Sequence, residues 1–261
     1  MSISVAPVLL IGGLDSSGGA GLIRDAAAVS AMGGQARFVA TALTAQSDSG
    51  VGWVAQTAPE GVRAQFCAAT QGAAIGAIKI GMLGDAQGVS GVAQAVRNLP
   101  DPPRVLDPVI RASSGGMLLS PAGLRALKND LLPQLDLITP NLHELAALGD
   151  LYGLSTQDPA AIARALMANG PGAVLAKGGH GEAVDGMICD VLYLRDGGVI
   201  RFPTRRFAFE MRGTGCFLAS AIAASLARRM GADGDPAHAI VTAISEAKAA
   251  LTLEFERRAA K

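Results

Sequence analysis

Val8-Leu-Leu-Ile11, then Gly12-Gly-Leu-Asp-Ser-Ser-Gly-Gly-Ala-Gly21, then Leu22 to Met32 set the pattern of this chain. The apolar run reads as a short buried strand, the glycines as a tight turn, and Gly21 to Met32 has helical spacing. The same order returns along the sequence. Strands are expected at Ala36–Leu43, Ile75–Ile80, Val105-Leu106, Leu135–Ile138 and Ala173–Ala176. Helices are expected at Pro59–Thr70, Ala86–Leu99, Pro121–Leu131 and Asp158–Asn169, and after Thr214 and Pro236. Val184 to Pro203 reads as two strands about a turn at Asp196-Gly-Gly198. Repeated strand–loop–helix units give an α/β fold with a mostly parallel sheet and right-handed crossovers. In such sheets ligands bind at the carboxyl ends of strands, and the polar and Gly-rich clusters fall just there.

Composition narrows the class. Half of the 261 residues are hydrophobic but only 4% are aromatic, so the core must be Ala, Leu, Val and Ile. The 22 basic and 22 acidic residues cancel, and no basic stripe appears, which argues against nucleic acid as a partner. Cys67, Cys189 and Cys216 suggest no disulfide framework and a reducing compartment. Met1 to Pro7 has no basic region, and no uninterrupted apolar stretch reaches membrane length. A soluble, cytoplasmic chain with no membrane partner is expected, folded as a single domain over residues 1–261.

Arg212-Gly-Thr-Gly-Cys216 precedes an Ala-rich run that reads as a long helix. A Gly-rich turn at a helix start aims backbone N–H groups at one spot, where the dipole favours an anion. Cys216 lies in the first helical turn, where a lowered thiol pKa is expected. The alternative is an ordinary Gly-rich turn with a small buried Cys. The loop from Gly12 to Gly21 misses the P-loop, because Gly19-Ala20 stand where Lys and Ser/Thr would be, and the dinucleotide fingerprint, because Gly19 and Gly21 do not complete G-x-G-x-x-G. Asp107, and Asn141 with Glu144, follow two different strands; such carboxylates suit hydrated Mg²⁺, or else begin a turn and a helix. Lys177, in Lys177-Gly-Gly-His180, suits a phosphate or is merely solvated. Gln46, read as a loop residue after its strand, can both donate and accept, as an aminopyrimidine edge requires. His143 and His180 lack zinc spacing, Cys67 reads as core and Cys189 as a structural strand residue.

Seven stretches, taken together, resemble one family: Gly12 to Asp25, Thr41-Ala-Leu-Thr-Ala-Gln46, Lys79-Ile-Gly-Met-Leu83, Leu106-Asp-Pro-Val109, Thr139-Pro-Asn-Leu-His-Glu144, Lys177 to His180, and Gly213-Thr-Gly-Cys216. Their order and spacing, from Pro7 to Ala250, are similar to those of the hydroxymethylpyrimidine/phosphomethylpyrimidine kinases of thiamin biosynthesis. The resemblance implies a ribokinase-like three-layer α/β/α fold, a homodimer, and ATP with Mg²⁺. It implies a pyrimidine pocket of Ala20, Gln46, Met82 and Val109, with Gly13 and Asp25 close by. Asp107 and Glu144 would serve the Mg²⁺ with Asn141 beside them, and Lys177 would meet nucleotide phosphate. Gly213, Thr214 and Gly215 would form the anion hole and Cys216 would be the base. Pyridoxal kinase is the alternative enzyme, and a non-catalytic pyrimidine sensor the alternative outside catalysis. Arg212 departs from the family's usual His; it is left between meeting a phosphate and facing solvent. Arg205 to Met211 also lacks the family's usual approach to the turn.

Overall fold

A computed structural model of the chain describes residues 6–99, 102–112, 116–168, 170–179, 185–229 and 234–259. Its centre is a nine-stranded sheet. The strands are β1 (Val8–Asp15), β2 (Ala36–Ser47), β3 (Gly50–Gln56), β4 (Ala77–Ile80), β5 (Arg104–Leu106), β6 (Leu137–Ile138), β7 (Ala173–Ala176), β8 (Met187–Leu194) and β9 (Val199–Arg205), in the order β3-β2-β1-β4-β5-β6-β7-β8-β9. The strands from β2 to β7 in that order pair in parallel.

Both faces of the sheet are covered, as parallel strands require. Along β1, Leu9 and Ile11 join one core and Val8 and Leu10 the other, the period-2 alternation of a strand buried on both sides. The first core lies under α2 (Pro59–Thr70), α3 (Ala86–Arg97), α4 (Pro121–Ala126), α5 (Leu142–Asp150) and α6 (Pro159–Ala168). The second lies under α1 (Gly21–Ala31), α7 (Thr214–Arg229) and α8 (Pro236–Ala259). Small buried residues along α7, among them Ala219, Ala221, Ala223 and Ala224, let it lie close against β1, β4 and β5. This is the three-layer α/β/α architecture.

Both sheet edges depart from the parallel expectation. β3 pairs antiparallel with β2, and β8 and β9 run antiparallel beyond β7. β3 was hidden in the sequence because Gly50 and Gly52 interrupt its apolar residues, and a register shift between Ala45 and Gln46 breaks the alternation opposite. β2 therefore continues past Leu43 to Ser47 and carries Gln46 on a strand rather than on a loop. The helix expected to end at Leu131 is α-helical only to Ala126 and continues as a wider π turn over Leu127–Leu131. Cys67 is exposed, not core: on α2 the buried residues are Val62 and Phe66, and the neighbouring position faces away. No helix among the described residues is long and apolar enough to cross a membrane.

Candidate active site

The first helical bond of α7 runs from Phe217 N–H to Gly213 O, so the N–H groups of the preceding turn have no acceptor within the helix. Gly213 has φ +70°, and a side chain on it would meet the carbonyl oxygen of Gly19 at 2.5 Å. Only glycine permits this contact between the turn before α7 and the β1–α1 loop. A Cβ on Gly215 would lie 3.0 Å from Lys177 Nζ and 3.3 Å from Asp107 Oδ2. The bare backbone of the turn thus faces an ion pair supplied by two other strands.

That pair is Lys177 Nζ to Asp107 Oδ1, 2.7 Å, with Asp107 buried just beyond β5 and Lys177 just beyond β7. Beside it Asn141 caps α5. Its Oδ1 accepts from Glu144 N–H at 2.9 Å, while Glu144 Oε2 accepts from Asn141 N–H at 2.8 Å. The helix-start reading of Glu144 is therefore realised. Burial first, and then the charge of Asp107, raise the Glu144 carboxyl to about 7, against the lowering effect of Lys177. One ammonium faces two carboxylates, so the cluster has an excess of acceptors. No group of three or more His, Cys, Asp or Glu among the described residues is placed to hold a metal alone. The donor set fits a hydrated Mg²⁺ that takes one or two carboxylates and completes its shell with water and phosphate oxygens.

Beneath Cys216 lies a second pair. Lys79 Nζ sits 2.8 Å from both carboxylate oxygens of Asp25, and Ser220 Oγ donates to Asp25 Oδ1 at 2.8 Å. Lys79 and Asp25 are 1% and 0% exposed. Burial disfavours the Lys79 ammonium, but Asp25 outweighs it and holds Lys79 charged. The sequence reading gave Asp25 to the pyrimidine pocket; it does line the cavity, but its oxygens are engaged by Lys79 and Ser220.

Cys216 departs from expectation in its chemistry. Burial pushes the thiol up to about 11; Lys79 lowers it, and Asp25 and Asp107 raise it. The helix start does not offset the loss of water, so the thiol is neutral near pH 7 without a ligand.

These groups open into one cavity of about 710 Å³. Gly13, Ala20, Gln46, Met82 and Val109 line it. Asp107, Asn141, Glu144, Lys177 and the Gly213–Cys216 turn with Thr214 line the floor. Phe207, Phe209, Leu251 and Phe255 also line it, with Phe207 stacked on Phe255 at 4.5 Å between centroids. His180 lies outside the described residues.

Arg212 does not simply face solvent. Its Nη2 reaches Asp15 Oδ2 at 2.9 Å and its Nη1 reaches Asp48 Oδ1 at 2.8 Å. It ties the turn before α7 to the β1–α1 loop and to the turn between β2 and β3.

Sequence reasoning missed the Lys79–Asp25–Ser220 group, the Phe cluster and the link from Lys248 on α8 to Asp190, which accepts from Gly178 N–H at 2.8 Å. Lys79 had a signal: a lysine inside the apolar strand Ala77-Ile-Lys-Ile80 requires a buried partner. The phenylalanines had none, because their pairing joins residues far apart in the chain.

Comparison with known proteins agrees with this geometry. A family model described as phosphomethylpyrimidine kinase matches residues 15–259. A hydroxymethylpyrimidine/phosphomethylpyrimidine kinase of Escherichia coli K12 is 41% identical over 217 residues, 83% of this chain and 81% of that one. Among solved structures, the ADP complex of Bacillus subtilis pyridoxal kinase superposes with a TM-score of 0.79 at 28% identity, covering 94% of this chain and 89% of that one. A phosphomethylpyrimidine kinase from Clostridium difficile 630 gives a TM-score of 0.74 at 30% identity, covering 94% of this chain and 99% of that one.

Proposed function

The chain belongs to the phosphomethylpyrimidine kinase family, and on that premise we propose that it transfers the γ-phosphoryl group of ATP to 4-amino-5-hydroxymethyl-2-methylpyrimidine and then to its monophosphate. The observation that carries this is the meeting of the Gly213–Cys216 turn with Lys177 and Asp107 in one cavity, so close that a Cβ on Gly215 would lie 3.0 and 3.3 Å from them. Phosphoryl transfer needs placement and charge neutralisation more than covalent chemistry, and this floor offers both. The whole nine-stranded sheet acts as one kinase domain in this reading.

The acceptor ring would lie between Gly13, Ala20, Met82 and Val109, with Gln46 at its polar edge. The Phe207, Phe209 and Phe255 wall offers a flat apolar surface to the nucleotide base. Lys177, held charged by Asp107, is placed to share its proton donors with phosphate oxygens. Asp107 and Glu144 would hold Mg²⁺, which supplies neutralisation of phosphate charge. The acceptor hydroxyl must give up its proton, and Cys216 is the base we assign. Its thiolate is opposed by Asp25 and Asp107 and favoured by Lys79. Cation binding at Asp107 therefore favours the ionised thiol.

Cys216→Ala should leave nucleotide binding intact, because the cradle is backbone, and should lower single-turnover transfer by about 10²–10⁴, or ~3–5 kcal/mol of barrier. A wild-type chemical rate in that variant would remove Cys216 from the reaction. Alkylation of Cys216 in the ligand-free protein should titrate near 11 and fall with Mg²⁺ and nucleotide bound. The pyridoxal kinase likeness keeps pyridoxal as the second acceptor. Competition of the two alcohols for Mg–ATP by kcat/KM decides between them; a higher value for pyridoxal overturns the pyrimidine reading.

A cytoplasmic homodimer completes the proposal. Edge strand β3 carries Trp53, 58% exposed, and Phe38 and Leu43 are also exposed on the neighbouring β2. An apolar, unpaired sheet edge of this kind is commonly covered in solution.

A further inference from the structure

We propose that Arg212 selects for an acceptor that already carries a phosphate, exchanging its surface partner Asp48 for the acceptor's phosphomonoester while Asp15 keeps the guanidinium in place. The inference rests on the kinase reading above and names the group that would serve the second transfer.

The two aspartates on Arg212 are unequal. Asp15 is 3% exposed and fixed within its own loop: Oδ1 accepts from Ser17 N–H at 2.9 Å and Ser17 Oγ at 2.8 Å, and Oδ2 accepts from Ala20 N–H at 3.0 Å. Asp48 is 95% exposed on the turn between β2 and β3. A pair with such a partner contributes little and breaks readily. Ser17 Oγ accepts weakly from the same Nη1 at 3.2 Å. One side of the guanidinium is thus anchored and the other is exchangeable.

Arg212 also stands where the second acceptor brings its charge. It lines the cavity one residue before the Gly213 turn. A Cβ on Gly19 would come within 3.0 Å of Arg212 Nη1, so glycine there leaves the guanidinium uncovered. An alcohol brings no charge, and the Asp48 pair stays closed. A phosphomonoester brings between one and two negative charges and several acceptor oxygens, which the guanidinium fork matches better than a single carboxylate oxygen.

The test measures kcat/KM for the aminopyrimidine alcohol and for its monophosphate, together with calorimetric binding of the monophosphate to ATP-free protein. Arg212→Gln should lower the monophosphate-to-alcohol ratio of kcat/KM about tenfold to hundredfold, the worth of a charge-assisted contact. Asp48→Asn should raise that ratio about two- to fivefold, since a weak competitor is removed. Equal losses on both acceptors in Arg212→Gln would make Arg212 a structural tie and overturn the proposal. So would an unchanged or lower ratio in Asp48→Asn. A wild-type protein that phosphorylates the alcohol but does not bind the monophosphate overturns the proposal and leaves the kinase reading standing. Monophosphate binding that depends on Arg212, in a protein that phosphorylates neither compound, supports the proposal while the kinase reading falls.

Discussion

Lys79 lies 2.8 Å from Asp25, and Lys177 lies 2.7 Å from Asp107. The first pair is closed: one ammonium, one carboxylate, a hydroxyl from Ser220, and almost no contact with water. The second is open: one ammonium, 14% exposed at the cavity wall, and two carboxylates. Balanced charges at full burial stay as they are, because any change leaves a charge alone in a low dielectric. Unbalanced charges at a cavity wall invite a cation. The same residue types therefore serve structure at one strand end and ligand chemistry at another, and stoichiometry separates them.

The largest test of that contrast is Lys79→Met, which leaves the Asp25 carboxylate uncompensated. It should destabilise the fold by about 3–5 kcal/mol in urea unfolding, and Asp25→Leu in the same chain should restore much of the loss. A nearly neutral Lys79→Met would dissolve the distinction. Glu144→Gln comes next and has the opposite sign. The Glu144 carboxyl titrates near 7 in the fold, above its ordinary 4.5. Its favourable contribution is complete below the ordinary value and is lost as pH rises through 7. At pH 8 the glutamine variant should be the more stable by up to about 3 kcal/mol, with the gain fading toward pH 4.5. Mg²⁺ should bind the wild type more tightly as pH rises from about 6 to 8, with proton release seen by calorimetry in buffers of different ionisation heat. Flat pH dependence of both stability and Mg²⁺ binding would count against an open cluster. The smallest expected effect is Asn141→Ala, which removes the α5 cap and should cost about 1 kcal/mol without moving the Glu144 titration far.

The sequence carried the parallel centre of the sheet because those strands are short apolar runs closed by Gly, Pro or Asp. It did not carry β3, whose glycines suppress the pattern, and of α5 it carried only a possible start at Asn141 and Glu144, one of two readings left open there. The turn at Gly213 was legible because an Ala-rich helical run follows it, and the carboxylates at Asp107 and Glu144 because each comes after a strand. The chemical state of Cys216 was not legible: position in a helix argues for a lower thiol pKa, and burial among carboxylates, a tertiary property, wins. Cys67 failed for the same reason in reverse, since helical spacing fixes neighbours on a face but not which face is covered. The carboxylate partners of Arg212 were not legible either, because they lie 164 and 197 positions away in the chain.

Trp53 is the chain's single tryptophan, and it stands exposed on β3, paired with Ala45 just beyond the turn that carries Asp48. Its position gives the protein a built-in optical reporter. Association through the sheet edge would move the indole out of water and shift its emission to the blue as concentration rises. Release of Asp48 from Arg212 would disturb the same turn and change the intensity at fixed concentration. Assembly and acceptor recognition can thus be followed separately on the unlabelled protein, through one fluorophore already in place.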